Sequence, residues 1–275
     1  MHNEIENALY IVATPIGNLA DITYRAVSIL NNVDIIACED TRNSSKLLKY
    51  YDIKTKVISY HDHNGEKMRP KILQELKNGK SVALISDAGS PLVNDPGYKL
   101  VEYICQQEFK VIPIPGASST ITAIMGAGLP TDVFTFKGFL PNKKIALQNE
   151  LKSLNSNMGT VLYFESPKRI RNTINEIKKN QPNANIVIGR ELTKKFEQFI
   201  RGNVSEIETN DIPEKGEFVL LINISSVEFT DTEIDNMIIK SLENMSVKDT
   251  AVAVALETGI PKSKIYARVV EIAKK

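Results

Sequence analysis

Over the first 115 residues, short β-branched runs alternate with stretches of helical spacing, the pattern of a mostly parallel sheet covered on both faces. Strands are expected at Leu9 to Ala13, Asp34 to Cys38, Val57 to Tyr60, Ser81 to Ser86 and Val111 to Ile114. Helices are expected between them near Asp21 to Asn32, Asn43 to Tyr51, Lys67 to Asn78 and Tyr98 to Gln107. A helix beginning near Ala117 leads to a second strand set at Val133 to Phe136, Thr160 to Glu165, Ile186 to Gly189, Glu197 to Arg201 and Phe218 to Ile224. Less helix separates these later strands, so a mixed sheet is expected there.

The acidic stretch Ser225 to Asp231 reads as a linker. The tail from Thr232 reads as three helices, the last two at Val247 to Glu257 and Lys262 to Ala273. Ala255 and Gly259 allow close helix approach and Pro261 suits a first helical turn, which gives a candidate helix-turn-helix carrying Lys262, Lys264 and Arg268. The expected division is an N-terminal α/β domain (1–116), a second α/β domain (117–226) and a helical tail (227–275).

Composition narrows the class. At 275 residues and 42% hydrophobic, the chain can bury a sizeable core without staples. Cys38 and Cys105 have no metal-ligand spacing and read as buried thiols in a reduced compartment. No apolar run approaches the roughly 18 residues of a membrane span, so a cytoplasmic protein is expected. His61 and His63 form an H-x-H pair with no further ligand nearby, and His2 lies in the polar end, so metal binding is not expected.

Net charge is +1, but it is uneven. Between Glu165 and Arg201 nine Lys or Arg face four Glu, whereas Asn203 to Asp235 carries nine acids and one Lys. A phosphate-binding surface and an ordinary solvated face explain the basic stretch about equally.

Candidate chemistry sits at strand ends. Three loops there carry Gly or Pro: Thr14 to Asn18, Asp87 to Gly97 and Pro115 to Ser119. In open α/β sheets the ligand crevice lies at the carboxyl ends of strands, and glycines there let backbone approach a small molecule. One such loop is more often a turn; three favour a pocket. No G-x-G-x-x-G, P-loop or G-x-S-x-G motif is present, which removes the usual support for nicotinamide, nucleotide-hydrolase and serine-hydrolase readings. Two clusters mix carboxylates with cations, Glu39-Asp40-Thr41-Arg42 and Arg190 to Glu197, as catalytic sets and structural ion pairs both do.

Taken in order, LYIVATPIGNLADIT, IIACEDTRNS, ISYHDHN, ALISDAGSPLVNDPG, PIPGASS, FKGFLPNK, LYFESPKR and GRELTKKFEQFIRG resemble the cytidine 2′-O-methyltransferases of small-subunit (16S) ribosomal RNA, which have the tetrapyrrole methylase fold. The resemblance covers residues 8 to 224, and the tail is similar to the family's small helical domain. It implies two α/β domains with S-adenosylmethionine in a cleft between them, a homodimer, and a decoding-site cytidine in the assembled subunit as substrate. Carried over from it, Gly89, Ser90, Val93, Ser118 and Ser119 would hold the cofactor, with Pro15 and Glu165 lining the cleft. Gly89-Ser90-Pro91 stands where tetrapyrrole-methylating relatives have G-D-P, which favours the RNA branch. Ser166-Pro167-Lys168-Arg169 departs from the usual S-P-H-R, Leu147 and Gln148 lie where an arginine pair is common, and Asp62 replaces a usual Glu.

For that chemistry Asp40, with Glu39 as alternate, is expected to accept the proton, and Arg42, Arg190 and Lys194 to hold phosphate or polarise the hydroxyl. Lys143, Arg169, Arg171, Lys264 and Arg268 are expected to orient RNA. Two rivals stand beside this: a tetrapyrrole or corrin C-methyltransferase, and a non-catalytic nucleic-acid-binding regulator. The missing G-D-P and the basic tail argue against the first, and the elaborate body with its strand-end loops argues against the second.

Overall fold

The computed structural model describes residues 5–224, 230–258 and 260–273. His2, Gly259 and residues 225–229 of the expected linker lie outside that set. Two compact units divide the chain: one comprises residues up to Gly128 with Ile188–Phe199 and Gly216–Val219, and the other Leu129–Val187, Ile200–Lys215 and Leu220 onward.

In the first unit, strands β1 (Leu9–Val12), β2 (Ile35–Cys38), β3 (Lys56–Ser59), β4 (Val82–Ile85) and β5 (Val111–Ile114) form a sheet of order β3-β2-β4-β1-β5. All four pairings are parallel, with Leu9 opposite Val82 and Val111. Side chains alternate across a pleat buried on both faces. Tyr10, Val12, Ile36, Cys38, Ala83 and Ile85 face a core closed by helices α1 (Tyr24–Asn32) and α2 (Thr41–Tyr50). Leu9, Ile35, Ala37, Val82 and Leu84 face the other, closed by α3 (Gly65–Lys77) and α4 (Tyr98–Gln106).

Helix starts differ from the expected ones for capping reasons. Thr23 accepts from Ala26 N at 3.0 Å and starts α1, preceded by a 3₁₀ turn at Leu19–Asp21. Asp40 accepts from Arg42 N at 2.8 Å and starts α2 before Asn43. Cys38 is buried, but Cys105 is exposed, contrary to expectation, because Leu100 and Ile104 occupy the inward face of α4.

After helix α5 (Ser119–Ala127) a second sheet follows the order β6-β7-β10-β8-β9, from β6 (Phe134–Phe139), β7 (Thr160–Glu165), β8 (Asn185–Arg190), β9 (Gln198–Asn203) and β10 (Phe218–Asn223). Strands β6 and β7 run parallel, with a register shift between Phe136 and Phe139. Helices α6 (Lys144–Ser153) and α7 (Ile170–Asn180) occupy stretches for which the sequence reading assigns none. Their inward residues, Leu147, Leu151, Ile170, Ile174 and Ile177, have helical spacing, interrupted by many charged positions.

In the tail, α8 (Asp231–Leu242), α9 (Val247–Thr258) and α10 (Lys262–Ile272) share a core of Ile234, Ile238, Ala251, Val254, Ile265 and Val269. Thr230 and Glu233 form a capping box at the start of α8. Among the described residues no helix is long and apolar enough to cross a membrane.

Candidate active site

Neighbouring strands β1 and β4 send their following helices to opposite faces of the first sheet, α1 to one and α4 to the other. That is a switch point, where departing chains leave a crevice above the strand ends. Here Thr14 and Gly89 exchange backbone bonds, Thr14 N–H donating to Gly89 O at 2.9 Å and Gly89 N–H to Thr14 O at 3.0 Å. Gly89 has φ +79°, a conformation that favours glycine, and a Cβ there would press on Ile16 Cγ2 at 3.2 Å. Ser90 Oγ donates to Ala117 O at 3.2 Å and ties in the loop after β5. Pro15 and Gly89 are buried, Ser90, Ser118 and Ser119 half-buried, and Val93 exposed. Ser118 Oγ lies 2.9 Å from Thr120 Oγ1, and the Ser118 side chain makes no cap bond to the first turn of α5.

The same loops reach the first carboxylate cluster through Asp87, which the sequence reading placed in a loop without a role. Asp87 accepts from Asp40 N at 3.3 Å and from Asn43 Nδ2 at 2.9 Å. Asp40 is engaged twice more: Arg42 Nε and Nη2 donate to its two oxygens at 3.1 and 2.8 Å. Those bonds, with the Arg42 amide, hold the Asp40 carboxyl down at about 2. Its neighbour Glu39 is shifted upward, by burial first and then by Asp87, Asp95 and Asp62, with His61 opposing. Asp95 is raised as well, again chiefly by burial.

The second cluster lies in the same unit. Thr193 Oγ1 accepts from Asn18 N at 3.2 Å, and a Cβ on Gly17 would overlap Lys194 Cγ. Lys194 Nζ bridges Glu191 at 3.0 Å and Glu217 at 3.1 Å, and these bonds outweigh its desolvation and raise its pKa. Arg190 also has a partner. Among the described non-glycine residues, six have positive φ; Leu92, Asn94, Glu191 and Thr193 lie in two of these loops. Strain concentrated there marks loops held in shape by their surroundings.

Glu165 belongs to the second unit and is buried. Its Oε1 accepts from Ser166 N and its Oε2 from Thr173 Oγ1, both at 2.7 Å, with Arg169 Nη2 at 3.3 Å. Arg169 also donates to Leu140 O, Pro141 O and Asn142 Oδ1, while Arg171 donates to Ile212 O and Asn210 O at 2.9 Å. Arg268 is held by Asp235 at 2.6 Å and by Asp231. Three of the five cations expected at RNA thus bind protein, whereas Lys143 and Lys264 are exposed. Much of the basic stretch 165–201 is likewise engaged: Lys178 donates to Ile207 O at 2.7 Å and Lys179 pairs with Glu176 at 3.0 Å. Among the described residues no group of His, Cys, Asp and Glu is arranged to hold a metal ion.

The model of the Tetrapyrrole (Corrin/Porphyrin) Methylases matches residues 8–208. Proteins called ribosomal RNA small subunit methyltransferase I are similar over nearly the whole chain. The one from Halalkalibacterium halodurans is 38% identical over 95% of this chain and 94% of its own, and that of Escherichia coli O157:H7 is 36% identical over 96% of each. A solved cobalt precorrin-4 methyltransferase of cobalamin biosynthesis covers 79% of this chain and 95% of its own with a TM-score of 0.58 at 19% identity. The Thermus thermophilus uroporphyrin-III C-methyl transferase complexed with S-adenyl homocysteine covers 78% and 97% with a TM-score of 0.54 at 14% identity. At those identities the structures show the fold, and the curated relatives narrow it: this chain belongs to the tetrapyrrole methylase family and, within it, to the ribosomal RNA small subunit methyltransferase I group.

Proposed function

We propose that the protein transfers a methyl group from S-adenosylmethionine to the 2′-oxygen of a decoding-site cytidine in small-subunit ribosomal RNA, acting as a cytoplasmic homodimer on the assembled subunit. The observation that carries this reading is near-full-length identity of 36–38% to relatives whose names specify small-subunit RNA methylation.

The loops suit the cofactor. Gly89 and Gly116 leave backbone bare where a Cβ would crowd Ile16 and Ala13, and Ser90, Ser118 and the amides of α5 supply polar contacts beside exposed Val93. S-adenosylmethionine would supply an already activated sulfonium methyl. The chain must then hold the ribose oxygen in line with that methyl and take up its proton.

Glu39 is the better proton acceptor of the two carboxylates. A base is most effective when its pKa approaches the working pH; burial and neighbouring acids push Glu39 in that direction, whereas Arg42 holds Asp40 far below it. Asp40 then serves to fix Arg42 and start α2. Lys194, fastened between Glu191 and Glu217, braces the loop carrying Pro15.

Calorimetric titration with S-adenosylmethionine tests the cofactor part. Saturable one-site binding that weakens in a Gly89→Val variant is expected. Absence of binding by the folded wild-type protein would sink the methyltransferase reading.

A further inference from the structure

The expected RNA cations are largely spent on protein contacts, yet a different surface of the first unit carries unspent ones beside the Asp40–Arg42 pair. Between residues 40 and 56 there are five cations, Arg42, Lys46, Lys49, Lys54 and Lys56, against two acids, Asp40 and Asp52, in a chain whose total charge is +1. Arg42, Lys46 and Lys49 recur at helical spacing along the outer face of α2, a stripe of about 10 Å at roughly 1.5 Å per residue. Lys54 and Lys56 stand exposed at β3, the edge strand of the first sheet. Lys54 pairs with Asp52 at 3.2 Å in full solvent, whereas Lys46, Lys49 and Lys56 form no ion pair among the described residues.

A groove of about 390 Å³ runs between α2 and β3, floored by Leu48, Ile53 and Val57 and rimmed by Thr41, Ser45, Lys49, Asp52 and Lys54, the last two being an exposed pair. An apolar floor with cations along its rim matches an unstacked nucleotide, whose base needs an apolar bed and whose phosphates need positive charge.

We infer that the α2 stripe and the β3 edge form the docking track for ribosomal RNA, with Lys46, Lys49, Lys54 and Lys56 on phosphates and the groove receiving a base next to the reacting nucleotide. This rests on the RNA reading above and adds the place of contact. The track begins at Arg42, so RNA held along α2 is delivered to the strand ends bearing Glu39 and Asp40.

The test is equilibrium binding of unmodified small ribosomal subunits to the full chain across a salt series, with methyl transfer from labelled S-adenosylmethionine followed in parallel. K46E/K49E is expected to bind on the order of tenfold more weakly, with a salt slope shallower by about 1.4, two contacts at about 0.7 each. K54E/K56E gives an independent pair at the start of β3 and should behave alike. K71E/K77E reverses two exposed lysines on α3, across the sheet, and should bind as wild type does. Affinity and slope equal to wild type in both track variants would overturn the inference. A wild-type protein that binds subunits through this track but transfers no methyl overturns the functional reading instead.

Discussion

Glu39 and Asp40 are adjacent carboxylates at one strand end with opposite surroundings. Asp40 is an N-cap whose two oxygens are taken by Arg42, while Glu39 is half-buried among acids. Replacing Glu39 by Gln should therefore lower kcat by about 10²–10⁴ with S-adenosylmethionine affinity retained. Because the shift is upward, wild-type activity should fall on acidification at a higher pH than for an ordinary glutamate, and the residual activity of Glu39→Gln should lack that limb. Asp40→Asn should instead perturb the Arg42 position and raise KM for the RNA. A pH profile unchanged by Glu39→Gln would return the base to Asp40.

At Gly17 the added methyl of an alanine would displace Lys194, and the expected result is lower kcat/KM with a nearly unchanged melting temperature. The sequence shows both carboxylates and prefers Asp40. The signal for the opposite assignment is an Asp directly before a helical stretch, with an Arg two residues later to bind it. Asp87 was visible only as a loop residue, since its bonds to Asp40 and Asn43 cross between strands 47 and 44 positions apart.

Elements explain why charged residues read as RNA contacts turn inward. Arg268 lies on α10, the second helix of the expected helix-turn-helix, but its guanidinium ties that helix to Asp231 and Asp235 of α8. Arg268→Ala should destabilise the tail by about 1 kcal/mol, given partial exposure of the pair. Faster amide exchange in α8 and α10 with an unaltered salt slope for RNA binding would show it; a shallower slope with unaltered exchange would assign Arg268 to RNA.

The bonds of Glu165 make a similar case. It is buried with Thr173, Ser166 N and Arg169 as partners, so Glu165→Ala should cost about 3 kcal/mol by leaving Ser166 N and the Thr173 hydroxyl without an acceptor and removing the carboxylate beside Arg169. Thermal unfolding measures this. A variant with normal stability but weakened cofactor binding would instead give Glu165 a cofactor contact. From sequence, an arginine four residues after a glutamate shows neither its burial nor its direction.

On the scale of the whole molecule, the first sheet was legible nearly residue by residue, because strands buried on both faces read as compact apolar runs. The expected strands Val111–Ile114 and Thr160–Glu165 coincide with β5 and β7 to the residue. Helices α6 and α7 were not, since Gln148, Glu150, Lys178 and Lys179 dilute the apolar spacing; they bond to other side chains or backbone instead, Gln148 to Glu176 at 2.9 Å and Lys178 to Ile207 O. The strand-end loops were legible as a group. Their mutual fastening, Thr14 to Gly89 and Ser90 to Ala117, depends on strand order, which no local pattern encodes.

Small ribosomal subunits lacking the modification should be incubated with the protein and labelled S-adenosylmethionine, and the labelled nucleotide and atom mapped. Label on the 2′-oxygen of one decoding-site cytidine is the predicted result. Label on a base or another nucleotide, or none despite cofactor binding, would contradict the account, and in the last case a tetrapyrrole would become the substrate to try.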